Sequence, residues 1–310
     1  MEVLQWVKKH NVEGVSFSGI EEGNQDQIDE QYLKDLRSFA ECNNLYLEWG
    51  GAQHIPRDMS TWEKKDIFGL NKKVAQQAET LGVRVVRSCS GGLMRWDNNS
   101  PKTETLLMEM AKALKAQRQM LMDFNVILAI ETHFEFTTFE LLKIFEYCET
   151  EPGEYLGICL DTMNLLTMME NPVRATERIL PWVVSTHIKD GGILLEKKGM
   201  TSFVTEIGKG IVNFREIIKG LATLPREVHL SIEDHGGYFS LPIFDPQFLS
   251  EFPDLSSGEF ACLIDLAFKS KEKIDFGESQ VINRKGWAKV CEERVIRDII
   301  ALRLLLKTVE

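Results

Sequence analysis

Four ionisable residues in the second half of the chain have types that suit a metal ion. Each stands where a short apolar run gives way to polar residues: Glu131, Asp161, His187 and Glu233. Three carboxylates that converge without a cation would repel one another and hold protons more tightly, and a divalent ion removes that conflict. Three oxygen donors with one imidazole suit a fairly hard ion, which is Mn²⁺, Mg²⁺ or Co²⁺, with Zn²⁺ as a further option. The alternative is that they are separate polar residues at strand ends.

The segments that carry these residues alternate between two patterns. Mostly continuous apolar runs, typical of parallel strands covered on both faces, predict seven strands at 12–18, 45–51, 83–89, 126–133, 156–164, 183–190 and 228–235. Amphipathic segments predict helices at 103–123, 137–150 and 213–222, among others. A longer loop is expected at 191–210. This strand–helix alternation predicts an α/β fold built on a parallel sheet.

The polar ends of the last four runs favour a TIM (β/α) barrel, in which the loops after the strands carry the chemistry. An open doubly wound sheet is the alternative, but the glycine-rich phosphate loop that normally marks it is absent from the sequence. We expect one barrel domain over residues 1–310. A predicted helix at about 2–10 precedes the first predicted strand. The first barrel strand is therefore missing, or a segment of the C-terminal extension replaces it.

The extension spans about residues 237–310 and is predicted to be a loop followed by helices packed on the barrel. The loop, at 237–258, is rich in proline and phenylalanine and long enough to be functional, as a lid or as a homo-oligomer contact. Helices are predicted at about 258–274 and 286–307.

The bulk properties exclude several classes of partner. A formal net charge of −11 argues against nucleic acid and against an anionic membrane surface, because phosphate groups bind basic surfaces. The 6 cysteines are irregularly spaced and form no CxxC pair, which favours reduced thiols in a cytoplasmic protein. The sequence shows no signal-peptide pattern at its start and no apolar run of bilayer length.

With these motifs the sequence resembles the xylose isomerase-like TIM barrel superfamily, and within it the sugar phosphate isomerase/epimerase family. The resemblance covers roughly residues 1–240 and rests on five stretches, which are ILAIETHFEFTTFELLKIFE (127–146), LGICLDTMNLL (156–166), VVSTHIKDGG (183–192), IGKGIVNFREIIKGL (207–221) and HLSIEDHGG (229–237). It implies that Glu131, Asp161, His187 and Glu233 bind one metal ion from the fifth to eighth strands of the barrel.

The resemblance also implies a reaction on a small sugar or keto sugar. In such enzymes two metal-bound glutamates flank the substrate; one removes a proton next to a carbonyl and the other, or a metal-bound oxygen, returns it. Glu131 and Glu233 would then be both ligands and acid–base groups, and the metal's charge would stabilise an enediolate-type intermediate.

Three positions depart from the ketose 3-epimerases of that family. Asn164 stands where those enzymes have a histidine, Ile193 where they have an arginine, and Thr137 where they have a further glutamate. Asn164 also replaces a zinc histidine of endonuclease IV, which argues against DNA repair. An isomerase or epimerase is therefore the first hypothesis. A sugar-derivative dehydratase or lyase and a non-catalytic metal-containing barrel are the alternatives.

Further candidates for substrate binding lie near the ligands, together with Asn164. His133 follows Glu131 by two residues, and His235 follows Glu233 by two. Lys189 is a candidate for contacting a substrate oxygen or phosphate, with an ion pair to Asp190 as the alternative.

Two earlier residues are also candidates. Arg87 ends a predicted strand and could bind an anionic group, although an ion pair inside the barrel is equally compatible with its position. Trp49 is placed to stack on a sugar face, with a plain core role as the alternative.

Overall fold

The computed structural model describes residues 1–18, 28–90, 92 and 94–309. Its main sheet has six strands in chain order: β1 (Gly14–Phe17), β2 (Tyr46–Ala52), β3 (Val85–Ser88), β4 (Ile127–Glu131), β5 (Leu156–Asp161) and β6 (Val183–His187). Each strand from β1 to β4 runs parallel to the next. Every residue of β4 and β5 is buried, as their unbroken apolar runs predict. The α/β, TIM-barrel-like fold expected from the sequence is confirmed.

Helices alternate with these strands. They are α1 (Glu2–Lys9), α2 (Glu30–Cys42), α3 (Ile67–Leu81), α4 (Thr103–Asp123), α5 (Thr138–Tyr147), α6 (Asn164–Thr167), α7 (Pro172–Ile179) and α8 (Phe214–Leu221). Local chemistry sets several of their ends. Asp66 accepts hydrogen bonds from the first turn of α3, which ends at Gly82 in the left-handed conformation. Asn171 caps α7, whose first residue is Pro172.

The first described element is a helix, as the sequence predicts. Helix α1 precedes β1, and β1 is at one end of the strand order. Among the residues that the structure describes, no segment of the C-terminal extension pairs with β1. The predicted replacement of the first strand is therefore not observed there.

A second sheet occupies a region for which the sequence indicated only a longer loop. Strands β7 (Asp190–Glu196) and β8 (Gly199–Thr205) form an antiparallel hairpin, and β9 (Tyr238–Leu241) pairs with β8. The expectation of a loop at 191–210 is wrong for most of that stretch. Strands β7 and β8 contain several Gly, Ser and Thr residues, so they lack the continuous apolar character of the strands that were predicted.

The run at 228–235 was predicted as a strand but contains none. It makes one isolated parallel bridge, between Ile188 and Ile232. Strand propensity depends on the pairing that the surroundings offer, and this segment finds a partner at that bridge alone among the described bridges. This difference matters for Glu233, which follows Ile232 directly.

The C-terminal extension is mainly helical, as predicted. Its helices are α9 (Pro246–Ser250), α10 (Ser257–Asp275), α11 (Arg284–Trp287) and α12 (Cys291–Leu306). The single helix predicted at 286–307 is thus interrupted at 288–290. Within the described residues, no helix has the length and apolar character that crossing a membrane requires.

The chain forms two compact units. The first comprises residues 1–92, 100–131 and 142–159, with β1 to β4 and their helices. The second comprises residues 93–99, 132–141 and 160–310, with β6, the second sheet and the C-terminal helices. The two units alternate along the chain, and the last boundary between them falls within β5.

Asp190 organises the loop after the hairpin of the second unit. Its buried carboxylate accepts hydrogen bonds from four backbone N–H groups, those of Gly191, Gly208, Gly210 and Val212, at 2.8–3.2 Å. A Cβ on Gly210 would lie 2.1 Å from Asp190 Oδ1, so this close approach requires glycine. The predicted alternative of a Lys189–Asp190 ion pair is wrong, because backbone donors surround the Asp190 carboxylate.

Replacing Asp190 by alanine is expected to lower the free energy of unfolding by about 3 kcal/mol, because buried N–H groups would lose their acceptor. Urea denaturation followed by circular dichroism measures the change. Asp58→Ala is the control, since Asp58 accepts comparable bonds from Ser60 and Thr61 near the surface. Equal and small losses in both variants would contradict an organising role for Asp190.

Candidate metal centre

Three of the four predicted ligands stand at the ends of neighbouring strands. Glu131 ends β4, Asp161 ends β5 and His187 ends β6. Their relative exposures are 3%, 0% and 4%, so each polar group is held within the protein by the apolar strand before it. Burial of this kind makes the side chains rigid, and it requires partners for their charges.

The structure brings three of the four predicted ligands together within the second unit. Candidate ligand atoms of Asp161, His187 and Glu233 lie within 4.8 Å of one another. His187 Nδ1 is 3.6 Å from Glu233 Oε2. Two carboxylates and an imidazole at this spacing are donors that a divalent ion fits, and Glu131 is the fourth predicted ligand, at the end of β4.

Glu233 is held differently from the other three. It belongs to no strand, and its side chain is 30% exposed. Its backbone N–H donates to the carbonyl of Ile188 at 3.2 Å, beside the single bridge between Ile188 and Ile232. Glu233 is therefore the most accessible member of the set.

Lys189 supplies a positive charge to two of the carboxylates. Its Nζ lies 2.8 Å from Asp161 Oδ2 and 2.5 Å from Glu233 Oε2, and its side chain is 1% exposed. A buried ammonium is stable only when charged or polar partners surround it. Lys189 thus lies at the predicted centre and offsets part of its negative charge.

Arg87 plays the same role for the remaining carboxylate. Its Nη1 lies 2.5 Å from Glu131 Oε2, and both side chains are nearly buried. Of the two roles that the sequence left open for Arg87, the structure shows the ion pair inside the protein. That pair leaves Glu131 less accessible than Glu233.

His235 extends the Lys189 contacts. Its Nε2 is 3.2 Å from Lys189 Nζ, and its Nδ1 is 2.6 Å from the carbonyl oxygen of Gly236. Burial, together with the neighbouring Lys189, lowers the pKa of His235 to about 4. A neutral ring whose Nδ1–H donates to Gly236 and whose Nε2 accepts from Lys189 satisfies both contacts.

Asn164 begins helix α6 shortly after Asp161. The Asp161 Oδ1 accepts the backbone N–H groups of Met163 and Asn164, at 3.0 and 2.9 Å, which fixes the carboxylate. The side-chain amide of Asn164 is buried, and neither its oxygen nor its nitrogen has a hydrogen-bond partner among the described residues. Buried amides are normally satisfied, so an added group is expected there.

The remaining candidates, His133 and Trp49, have protein partners. His133 Nδ1 is 3.2 Å from Glu135 Oε1, and the His133 ring lies 4.0 Å from the ring of Phe134. The indole N–H of Trp49 donates to Gln77 on helix α3, and its ring contacts Phe17. Trp49 is 3% exposed, so its surroundings are those of the core and do not support the predicted stacking on a sugar.

One pair near the site was missed by sequence reasoning. Arg294 of helix α12 lies 2.8 Å from Asp234, the residue after Glu233. In the sequence Arg294 is one charged residue of an amphipathic helix, and its side chain would be expected in solvent. Nothing in the local pattern indicates that it is 1% exposed.

The region that contains the ligand group matches a known protein family. A family model described as xylose isomerase-like TIM barrel matches residues 4–247. The chain belongs to this family. The four predicted ligands lie within the matched residues, and helices α10 to α12 lie beyond them.

A curated relative of this chain has low sequence identity to it. The uncharacterized protein YihM of Escherichia coli (strain K12) is 23% identical over 242 residues, which are 76% of this chain and 65% of YihM. The matched stretch therefore spans less than two thirds of that relative.

Solved structures share the fold. A D-psicose 3-epimerase from Clostridium cellulolyticum H10, solved with D-tagatose, is 11% identical with a TM-score of 0.60, covering 87% of this chain and 92% of the epimerase. The probable 3-DHS dehydratase AsbF of Bacillus anthracis, involved in petrobactin synthesis, is 17% identical with a TM-score of 0.55, covering 81% and 91%. At these identities the likeness extends to the fold alone, and this fold is common to an epimerase and a dehydratase.

We expect one Mn²⁺ to bind per wild-type chain in equilibrium dialysis. Asp161→Asn should lower the Mn²⁺ affinity by about 10-fold or more, because a neutral amide is a weaker ligand for a hard cation. Glu170→Gln is the matched control, since Glu170 is a buried carboxylate that bonds Thr138 away from the ligand group. Wild-type protein that takes up no ion would exclude a metal centre here.

Lys189→Met should increase the rise in melting temperature that Mn²⁺ produces. Without the ammonium, Asp161 and Glu233 lose their counter-charge, so the metal-free variant is destabilised and a divalent ion has no competitor. Differential scanning fluorimetry with and without Mn²⁺ measures this. The surface lysine variant Lys219→Met, which loses an exposed pair with Glu216, is the control. An unchanged metal-induced shift in Lys189→Met would contradict competition between ammonium and metal.

Proposed function

We propose that this chain is a divalent-metal-dependent isomerase or epimerase that removes a proton next to the carbonyl of a small sugar or keto sugar. The observation that carries the proposal is the group of Asp161, His187 and Glu233, whose candidate ligand atoms lie inside a 4.8 Å limit. Glu131 would complete the ligand set, as the family resemblance implies. Membership of the xylose isomerase-like family supports it. The candidate ions are Mn²⁺, Mg²⁺, Co²⁺ and Zn²⁺.

A divalent ion held by these four side chains would polarise a substrate carbonyl and acidify the adjacent C–H. The protein's own residues then divide the remaining work. Glu233 is assigned as the base that takes the first proton, because it is the exposed glutamate of the set. Glu131 is assigned to return a proton, because it is the buried glutamate of the set and pairs with Arg87.

Proton transfer moves charge in a way that Lys189 can support. As Glu233 accepts the proton, the C–H electron pair passes into the carbonyl and leaves negative charge on the substrate oxygen. The Lys189 ammonium, 2.5 Å from Glu233 Oε2 in the resting site, loses an anionic partner at that moment and would then stabilise the new anion. His235, neutral and in contact with Lys189, holds the ammonium in place.

The polar lining favours a hydroxylated substrate. The unsatisfied amide of Asn164 offers two donors and an acceptor close to Asp161, which suits a sugar hydroxyl. A substrate that lacks this hydroxyl could not bond the Asn164 amide and would leave it buried and unsatisfied. We therefore include Asn164 in the substrate site, with His133 as a more exposed neighbour of Glu131.

A dehydratase or lyase reaction is the second candidate. It shares the first step and then expels a hydroxyl group from the neighbouring carbon. The positions that depart from ketose 3-epimerases favour it: Ile193 is fully buried in β7, and Thr137 accepts a hydrogen bond from Glu140 N at the start of α5. Neither position offers the charged group that an epimerase of that type would use.

Deuterium exchange tests the shared step with a range of substrates. Metal-loaded protein is incubated in D₂O with a panel of ketoses and keto sugars, and mass spectrometry follows deuterium at the carbon next to the carbonyl. We expect exchange into at least one compound and its loss, by about 100-fold or more, in Glu233→Gln, because an amide cannot accept the proton.

The products of the same incubation separate the two reactions. A stereoisomer or positional isomer supports the isomerase, and loss of one water supports the dehydratase. Glu170→Gln should exchange at the wild-type rate. Equal exchange in wild-type protein and Glu233→Gln would contradict the acid–base assignment, and absence of exchange with every compound would favour the non-catalytic barrel.

A further inference from the structure

The chain beyond the family match returns to the segment that carries Glu233. The backbone N–H of Gly237 donates to the carbonyl of Ile282 at 2.7 Å. Arg294 Nε lies 2.8 Å from Asp234 Oδ2, with both side chains almost completely buried, at 1% and 3% exposed. The C-terminal extension therefore contacts Asp234, the residue that follows Glu233.

Glu233 is the ligand that most needs such support. The other three predicted ligands are the last residues of strands β4, β5 and β6. Residues 228–235, in contrast, form no strand and make one isolated bridge. A carboxylate on a segment with little sheet pairing has more freedom than one at a strand end. Metal affinity depends on ligands that are already in place, and contacts beyond the ligands supply that order.

Asp234 connects the ligand segment to helix α12. Its Oδ1 accepts the backbone N–H of Gly236 at 2.9 Å, and its Oδ2 faces Arg294. Gly236 is in the left-handed region at φ +61°, and a Cβ there would lie 2.9 Å from the Ile282 carbonyl oxygen. The turn after Glu233 is therefore tight, and one carboxylate ties it to the extension.

Arg294 is itself held on more than one side. Its guanidinium lies 5.5 Å from the centre of the Trp287 ring. Asp298, one turn along α12, accepts a hydrogen bond from the backbone N–H of Ile207 and is an additional acidic neighbour. A buried guanidinium that lost its carboxylate would be strongly unfavourable, so Arg294 and Asp234 constrain each other.

We propose that Arg294 is a positioning residue for Glu233. From helix α12 it pairs with Asp234 and thereby fixes the position of the neighbouring Glu233 carboxylate. This inference rests on the proposed metal site. It gives the C-terminal extension, whose last helices lie outside the family match, a direct part in forming the centre.

The test measures Mn²⁺ affinity by electron paramagnetic resonance of free Mn²⁺, with circular dichroism of the metal-free proteins to verify folding. Arg294→Met should weaken Mn²⁺ binding about 10-fold, the usual scale for a contact beyond the ligands. Arg294→Lys, which keeps the charge, should recover most of that loss. Arg297→Met is the matched control, because Arg297 lies one turn along the same helix and pairs with Glu206 at the surface.

A double variant separates positioning from general damage to the helix. If Arg294 acts through Asp234, the variant with both Arg294→Met and Asp234→Asn should bind Mn²⁺ no more weakly than the weaker single variant. If Arg294→Met does not fold, Asp234→Asn carries the test, since asparagine keeps the acceptor for Gly236 and removes the charge. The same loss of about 10-fold is expected from it.

The outcomes distinguish this inference from the function on which it rests. Wild-type protein that binds no Mn²⁺ would overturn both. Wild-type binding with an affinity within about twofold in folded Arg294→Met and Asp234→Asn would overturn the positioning role and leave the metal site standing. An equal loss in Arg297→Met would show that any change in α12 has this effect, and would also overturn it.

Discussion

The need to balance buried negative charge governs the candidate centre. Glu131 is buried at the end of β4, Asp161 is buried at the end of β5, and Glu233 lies beside Asp161. Carboxylates in a medium of low polarity are unfavourable unless cations accompany them. The protein provides two of its own, Arg87 and Lys189, and the ligand geometry offers a third position to a divalent ion.

Those cations also bear on the chemistry. The three carboxylates exceed the two buried cations by one charge, so a divalent ion would leave the centre with a net positive charge of one. Such a centre is suited to a substrate that becomes anionic when it loses a proton. In the proposed reaction Lys189 would contribute to both states, because it contacts Glu233 before the transfer and would stabilise the substrate oxygen after it.

Much of this could be predicted from the sequence, for a physical reason. A continuous apolar run that ends in one ionisable residue has few structural solutions, and strands β4 to β6 adopt the expected one. The same reasoning failed at 228–235, because an apolar run becomes a strand only where a neighbouring strand can pair with it. It also failed for the hairpin of β7 and β8, whose glycines and hydroxyl side chains resemble a loop until paired.

Long-range partners could not be predicted at all. The contact between Arg294 and Asp234 joins residues separated by most of the C-terminal extension, and each residue alone is compatible with an exposed position. The core position of Trp49 was similarly ambiguous, because the sequence does not show that Gln77 accepts its indole N–H. Charged and amphipathic side chains reveal their role only when the packing is known.

Anomalous diffraction from crystals grown with Mn²⁺ tests the central claim most directly. The account predicts one anomalous peak within bonding distance of Glu131, Asp161, His187 and Glu233. Absence of that peak, with the Lys189 ammonium still between Asp161 and Glu233, would contradict it and would show that the protein balances this charge with its own side chains.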